Sequence, residues 1–149
     1  MIKKFLFIIF LSFLFCNKNF AETNVELRAK YVLSSMQQDY ITCYSFYKIG
    51  AEYIRKSNGK QNVIDGVEKS SDVSLKFAHE TGELMGMTPE EMSSKVKSEM
   101  KKQLDQIDTD FNNASILLDK YAMQCKNLIE NKKQRILFWE KKAINKFNE

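Results

Sequence analysis

Two cysteines, Cys43 and Cys125, each stand in the middle of a stripe of apolar residues at helical spacing. Any fold of this chain must decide whether they meet. The first stripe runs through Ala29, Val32, Met36, Cys43, Tyr47, Gly50 and Ile54, widened by Leu33, Tyr40 and Phe46, while Lys30, Gln37, Lys48, Glu52 and Arg55 fall opposite. That is the pattern of an amphipathic helix with a broad buried face. It ends at Ser57-Asn58-Gly59, where Asn and Gly tolerate the left-handed backbone that closes helices.

The second stripe passes through Val96, Met100, Leu104, Ile107, Phe111, Ala114, Leu118, Tyr121, Cys125 and Leu128. Read by period alone it is one helix of roughly forty residues. Asp108-Thr109-Asp110 and Asn112-Asn113 interrupt it with weak helix formers that cap and turn well. Between the two stripes lies a helix carrying Val63, Val67, Ser70, Ser74, Phe77, Ala78, Thr81 and Met85, a small-residue face suited to close approach. Gly86 fits the position past its end, and Thr88-Pro89-Glu90-Glu91 supplies an N-cap, a first-turn proline and a capping-box glutamate for the next helix.

The cysteines arbitrate between period and propensity. With three helices running up, down and up at about 1.5 Å per residue, an unbroken third helix leaves the two sulfurs roughly 40 Å apart. A turn at Phe111 to Asn113 sends a fourth helix back down and brings Cys125 level with Cys43, within the ~7 Å between α-carbons that a disulfide needs. The same register sets Trp139 opposite Ala29, Leu118 opposite Gly50 and Ala114 opposite Ile54, so large faces small. The sequence therefore predicts an all-α, up-down-up-down four-helix bundle with helices at about 24–57, 62–85, 89–111 and 113–147. A Cys43 to Cys125 bond closing a loop of about 80 residues would contribute roughly 4 kcal/mol.

A disulfide implies an oxidising compartment, and the chain opens accordingly. Lys3 and Lys4 precede an apolar run from Phe5 to Phe15 and a short polar stretch ending in Ala21, the layout of a secretory signal peptide. The run is about half the ~20 residues of a membrane-spanning helix. Cys16 follows Leu14 and Phe15 rather than the small residues that precede a lipidated cysteine. Residues 1–21 are read as the leader and 22–149 as a single helical domain. Removing Lys3, Lys4 and Lys18 takes the 23 basic residues to 20 against 19 acidic, a net charge of +1, which argues against nucleic acid as a partner.

Asp39 shares the face of Cys43 one turn earlier, where an unpaired carboxylate is costly. In the predicted register Lys132 comes within about a turn of it, so a buried Asp39–Lys132 pair is expected to fix helix register. Tyr40, Tyr44, Phe46, Tyr47 and Tyr121 gather near the cysteines as core or as the wall of a pocket for a small apolar ligand. From Lys126 to Glu149 seven basic residues stand against three acidic, and Lys133, Arg135, Phe138, Lys141 and Lys142 are read as a surface contact.

His79 projects onto the polar side of its helix near Asp72, Lys76 and Glu83, and with one histidine there is no paired ligand motif for metal or haem. No catalytic set, phosphate loop or nucleophile elbow stands in the sequence. The expectation is a non-enzymatic, cofactor-free binding protein of the bacterial envelope, exported to the periplasm of a Gram-negative bacterium or secreted. Its partner would be an envelope protein or a small apolar ligand, and a homodimer would equally cover leftover apolar surface. The alternative is association with a membrane surface through the basic C-terminal helix.

Overall fold

The computed structural model describes residues 23–147, and the expected leader lies outside them. The described residues are helical, without a strand: α1 Asn24–Lys56, α2 Gln61–Leu84, α3 Pro89–Gln106, a 3-10 turn Phe111–Asn113, α4 Ser115–Glu130 and α5 Lys132–Phe147. No helix among them is long and apolar enough to cross a membrane.

Their boundaries follow from local chemistry. The side chains of Thr23 and Thr88 each accept a hydrogen bond from the backbone of a glutamate three residues on, and the carboxylate of that glutamate accepts one from the threonine amide. These reciprocal boxes start α1 and α3. Asn58, at φ 54°, closes α1 and lets the Gly59 amide reach the Ile54 carbonyl at 2.8 Å. A β-carbon on Gly59 would stand 2.9 Å from that same carbonyl oxygen. Gly86, at φ 73°, closes α2 in the same way, with the Met87 amide on the Gly82 carbonyl.

α1 is the axis, and every other helix packs on it. α2 runs against it: Arg55 pairs with Glu68 near one end, and the rings of Tyr40 and Phe77 stack 5.2 Å apart lower down. α3 runs with it, from Lys95 bonding Gln37 to Gln103 bonding the Thr42 carbonyl. α4 and α5 descend, from Cys125 beside Cys43 to Trp139 beside Tyr31. The core gathers about the middle of α1, where Met36, Tyr40, Ile41, Cys43, Phe46 and Ile49 are buried.

Two expected boundaries are corrected. α3 ends at Gln106 rather than 111, because Asp108 and Thr109 adopt left-handed backbone and the Thr109 amide turns back to the Leu104 carbonyl at 2.9 Å. Propensity overrides the unbroken apolar period there. The single helix expected over 113–147 is two, since Asn131 leaves helical geometry at φ −133° and its amide bonds the Asn127 carbonyl. The face of α2 is also turned by one residue from the expected stripe. Ile64, Ser71, Ser74, Ala78 and Gly82 are buried and Val63 is exposed, because the smallest residues allow the closest approach to α1.

Candidate binding site

Cys43 and Cys125 are bonded, with α-carbons 5.3 Å apart and neither residue exposed to solvent. Gly50, Ile54, Ala114 and Leu118, expected to face one another, line one small apolar cavity. Phe46 also lines it, and its ring lies 5.2 Å from Tyr47 and 6.3 Å from Tyr121. Burial raises the Tyr47 phenol above its ordinary pKa, with a smaller push from Glu130.

One turn below the disulfide, Asp39 is buried, and its partner is Arg135 rather than Lys132. The guanidinium donates from Nε to Oδ2 at 2.6 Å and from Nη2 to Oδ1 at 2.8 Å. Trp139 Nε1 donates to Oδ2 at 2.6 Å, and Gln124 Nε2 to Oδ1 at 3.0 Å. Four donors from two helices thus converge on one carboxylate, and the bidentate fork is the strongest of these contacts. The break at Asn131 restarts the helix, so α5 presents Arg135 and Trp139, one turn apart, to α1. Lys132 swings instead to the other side, its ammonium 4.0 Å from the centre of the Phe77 ring. Trp139, expected opposite Ala29, sits against Tyr31 and Asp39 for the same reason.

Arg135, expected at the surface, is thereby withdrawn into the structure. Lys133, Phe138, Lys141 and Lys142 are exposed, together with Leu137 and Ile144. They form the outer face of α5.

α3 meets α1 through a polar seam that sequence reasoning missed. Gln37, Glu99 and Gln103 are buried. Gln103 Nε2 donates to the Thr42 carbonyl at 2.9 Å and to Glu99 Oε1 at 3.1 Å, while Lys102 and Gln38 donate to Glu99 Oε2. Lys95 Nζ donates to Gln37 Oε1 at 2.9 Å. The available signal was the spacing Met92, Val96, Glu99, Gln103, Ile107, a helical stripe one residue away from the apolar one. Tyr44 lies over this side, half-buried in a groove with Val96, Met100 and Leu104.

Tyr40 stands apart from Phe46, Tyr47 and Tyr121 and stacks on Phe77 instead. It lines a cleft of about 270 Å³ between α1, α2 and α5, walled by Val32, Leu33, Met36, Phe77 and Ile136. Glu80, Thr81, Leu84 and Lys132 complete the lining. Tyr40 is 2% exposed, and among the described residues its hydroxyl has no hydrogen-bond partner. An unpaired buried hydroxyl costs about 1–3 kcal/mol. Burial, followed by the charges of Asp39 and Glu80, pushes the Tyr40 phenol up to about 12. It is therefore a standing donor at any physiological pH.

Among the described residues no group of three or more His, Cys, Asp and Glu side chains is placed to hold a metal ion, and His79 is exposed. Comparison with known proteins finds no matching family model, curated protein or solved structure.

Proposed function

We propose that this protein is exported behind residues 1–21 and works in the bacterial envelope by binding rather than by catalysis. The observation that carries the export half is the Cys43–Cys125 bond, sealed from solvent at the centre of the core, since such bonds persist in oxidising compartments. The binding half rests on the cleft between α1, α2 and α5, which joins apolar walls to a few polar side chains, Glu80, Thr81 and Lys132, the combination that small-molecule sites use. Counting α4 and α5 as one arm interrupted at Asn131 gives an up-down-up-down bundle of four arms. The test is the mass of the protein recovered from a bacterial periplasm, taken with and without reductant. A chain beginning at Glu22 that gains two hydrogens on reduction supports the reading, and an uncleaved or fully reduced chain removes it.

A second reading uses the outer face of α5, where Leu137, Phe138 and Ile144 are exposed beside Lys133, Lys141 and Lys142. Apolar residues framed by lysines suit an anionic membrane surface. Flotation with vesicles of anionic lipid at low salt decides it, because no co-flotation there leaves the face without that role.

A further inference from the structure

We infer that two copies of this chain associate tail to tail, each laying the lower ends of α1 and α5 against those of the other to complete a four-helix layer. α1 outruns two of its neighbours. α2 ends where Leu84 lines the cleft beside Leu33, and α3 is entered where Met87 and Lys95 bond Gln37. Below that level Tyr31 packs on Trp139 and Phe147, so α5 is the helix alongside. The groove there, about 530 Å³, is walled by α1 and α5 alone, through Ala29, Val32 and Leu33 facing Ala143 and Ile144. No residue of α1 before Met36 is buried, although Leu27, Tyr31, Val32 and Leu33 lie in that stretch, and α5 buries only Ala143. Yet the capping box at Thr23 starts the helix about three turns before its first buried residue. A helix in water depends on packing of its apolar face, and among the described residues this stretch is covered on one flank only.

Shape and charge select a second copy as the cover. The stretch from Asn24 to Ser35 rises about 18 Å, and laid antiparallel on its counterpart it crosses near Ala29. Ala29 and Ala143 then stand at the two-fold axis, where small residues allow close approach. The same overlap brings Val25 of one copy, 71% exposed, to the level of Leu84 of the other, 73% exposed. Arg28 and Glu140 line the groove with opposite charges, which a two-fold sets unlike against unlike, whereas an anionic surface would meet Glu140 as well. Two helices side by side are about 20 Å wide, so the footprint is roughly 400 Å² per copy. That is below the ~800 Å² per partner of a standard interface, which makes the dimer reversible.

The experiment sediments the protein recovered from a bacterial periplasm at concentrations from about 1 μM to about 1 mM. A reversible monomer–dimer equilibrium within that span is expected. Ala29→Glu and Ile144→Asp should each weaken it at least about tenfold, since each carries an unpaired carboxylate into the contact. Val63→Asp, on the exposed first turn of α2, should leave it unchanged. Dilute samples, where every form is monomeric, should unfold at much the same denaturant concentration, which separates loss of association from loss of fold. With the native cysteines bonded, Ala29→Cys should cross-link two copies on mild oxidation and Val63→Cys should not. A monomer throughout the range overturns the proposal, as does a dimer that ignores Ala29→Glu and Ile144→Asp or that Ala29→Cys fails to cross-link. A monomer that floats with anionic vesicles, and no longer does so as Ala29→Glu, assigns the groove to a lipid surface and overturns it too.

Discussion

α1 is gripped on one side by α4 and α5 and on another by α3, and the two seams use polar chemistry in opposite ways. On the α4–α5 side a covalent bond and a carboxylate with four donors stand one helical turn apart. On the α3 side an amide, Gln103, and a carboxylate, Glu99, share their hydrogen bonds with Gln38 and Lys102, and Gln103 Oε1 has no partner among the described residues. Val96, Met100 and Leu104 beside that seam are only half-buried. In the first seam one register satisfies both oxygens of the Asp39 carboxylate and closes the disulfide. The second is a set of separate hydrogen bonds, worth about 1 kcal/mol each between neutral groups and about 1.5–3 kcal/mol where a charged group takes part. We therefore expect α3 to be the helix that loosens first.

The strongest challenge to this contrast is removal of the bond. Cys43→Ala with Cys125→Ala should lower stability by about 4 kcal/mol, read from denaturant melts. A loss no greater than that of any α3 substitution would erase the contrast.

Next is Asp39→Ala, which leaves the half-buried Arg135 guanidinium facing a cavity. Its cost should be about 3 kcal/mol, the low end for breaking a buried pair, whereas Lys132→Ala should change stability by less than about 1 kcal/mol. Equal effects of the two would return Lys132 to the pair.

On the α3 side Gln103→Ala should cost about 2 kcal/mol, because the Thr42 carbonyl loses its donor. Hydrogen exchange should show α3 amides opening before those of α1 and α4. Simultaneous exchange would mean that the polar seam is as firm as the bonded one.

The smallest effect belongs to Tyr40, next to Asp39 in sequence but without its partners. Its folded pKa, about 12, lies above the ordinary value of 10.0. The folded state therefore holds the proton more tightly, and the stabilising contribution is complete below pH 10 and lost as pH rises towards 12. At pH 11 the loss should be on the order of 1 kcal/mol. Tyr40→Phe should flatten the stability curve over that window, and a curve as steep as before would assign the alkaline loss to other groups.

Much of the frame was legible from residues alone. The capping boxes, Asn58 and Gly86 are local devices, acting within a few residues of themselves, so the ends of α1 and α2 and the start of α3 could be read directly. The disulfide was legible for a different reason: the leader points to an oxidising compartment, where two core cysteines pair, and that pairing excludes an unbroken third helix. The Asp39 partner was not legible. Lys132 and Arg135 are three residues apart and chemically similar, and the choice between them hangs on the backbone at Asn131.

Sequence by itself determined what depends on neighbours along the chain: helix type, most helix ends, the turn before α4, and the pairing of Cys43 with Cys125. Tertiary structure alone decided how each helix is rotated about its own axis. That rotation turned Ser71 and Gly82 towards α1, buried Gln37, Glu99 and Gln103, drew Arg135 inward and left the Tyr40 hydroxyl unpaired. The physical reason is that an amphipathic stripe is broad, often a third of the helix surface, so hydrophobicity tolerates a rotation of one residue either way. Close packing against a neighbour does not, and it selects the one rotation in which volumes fit and buried donors find what acceptors they can.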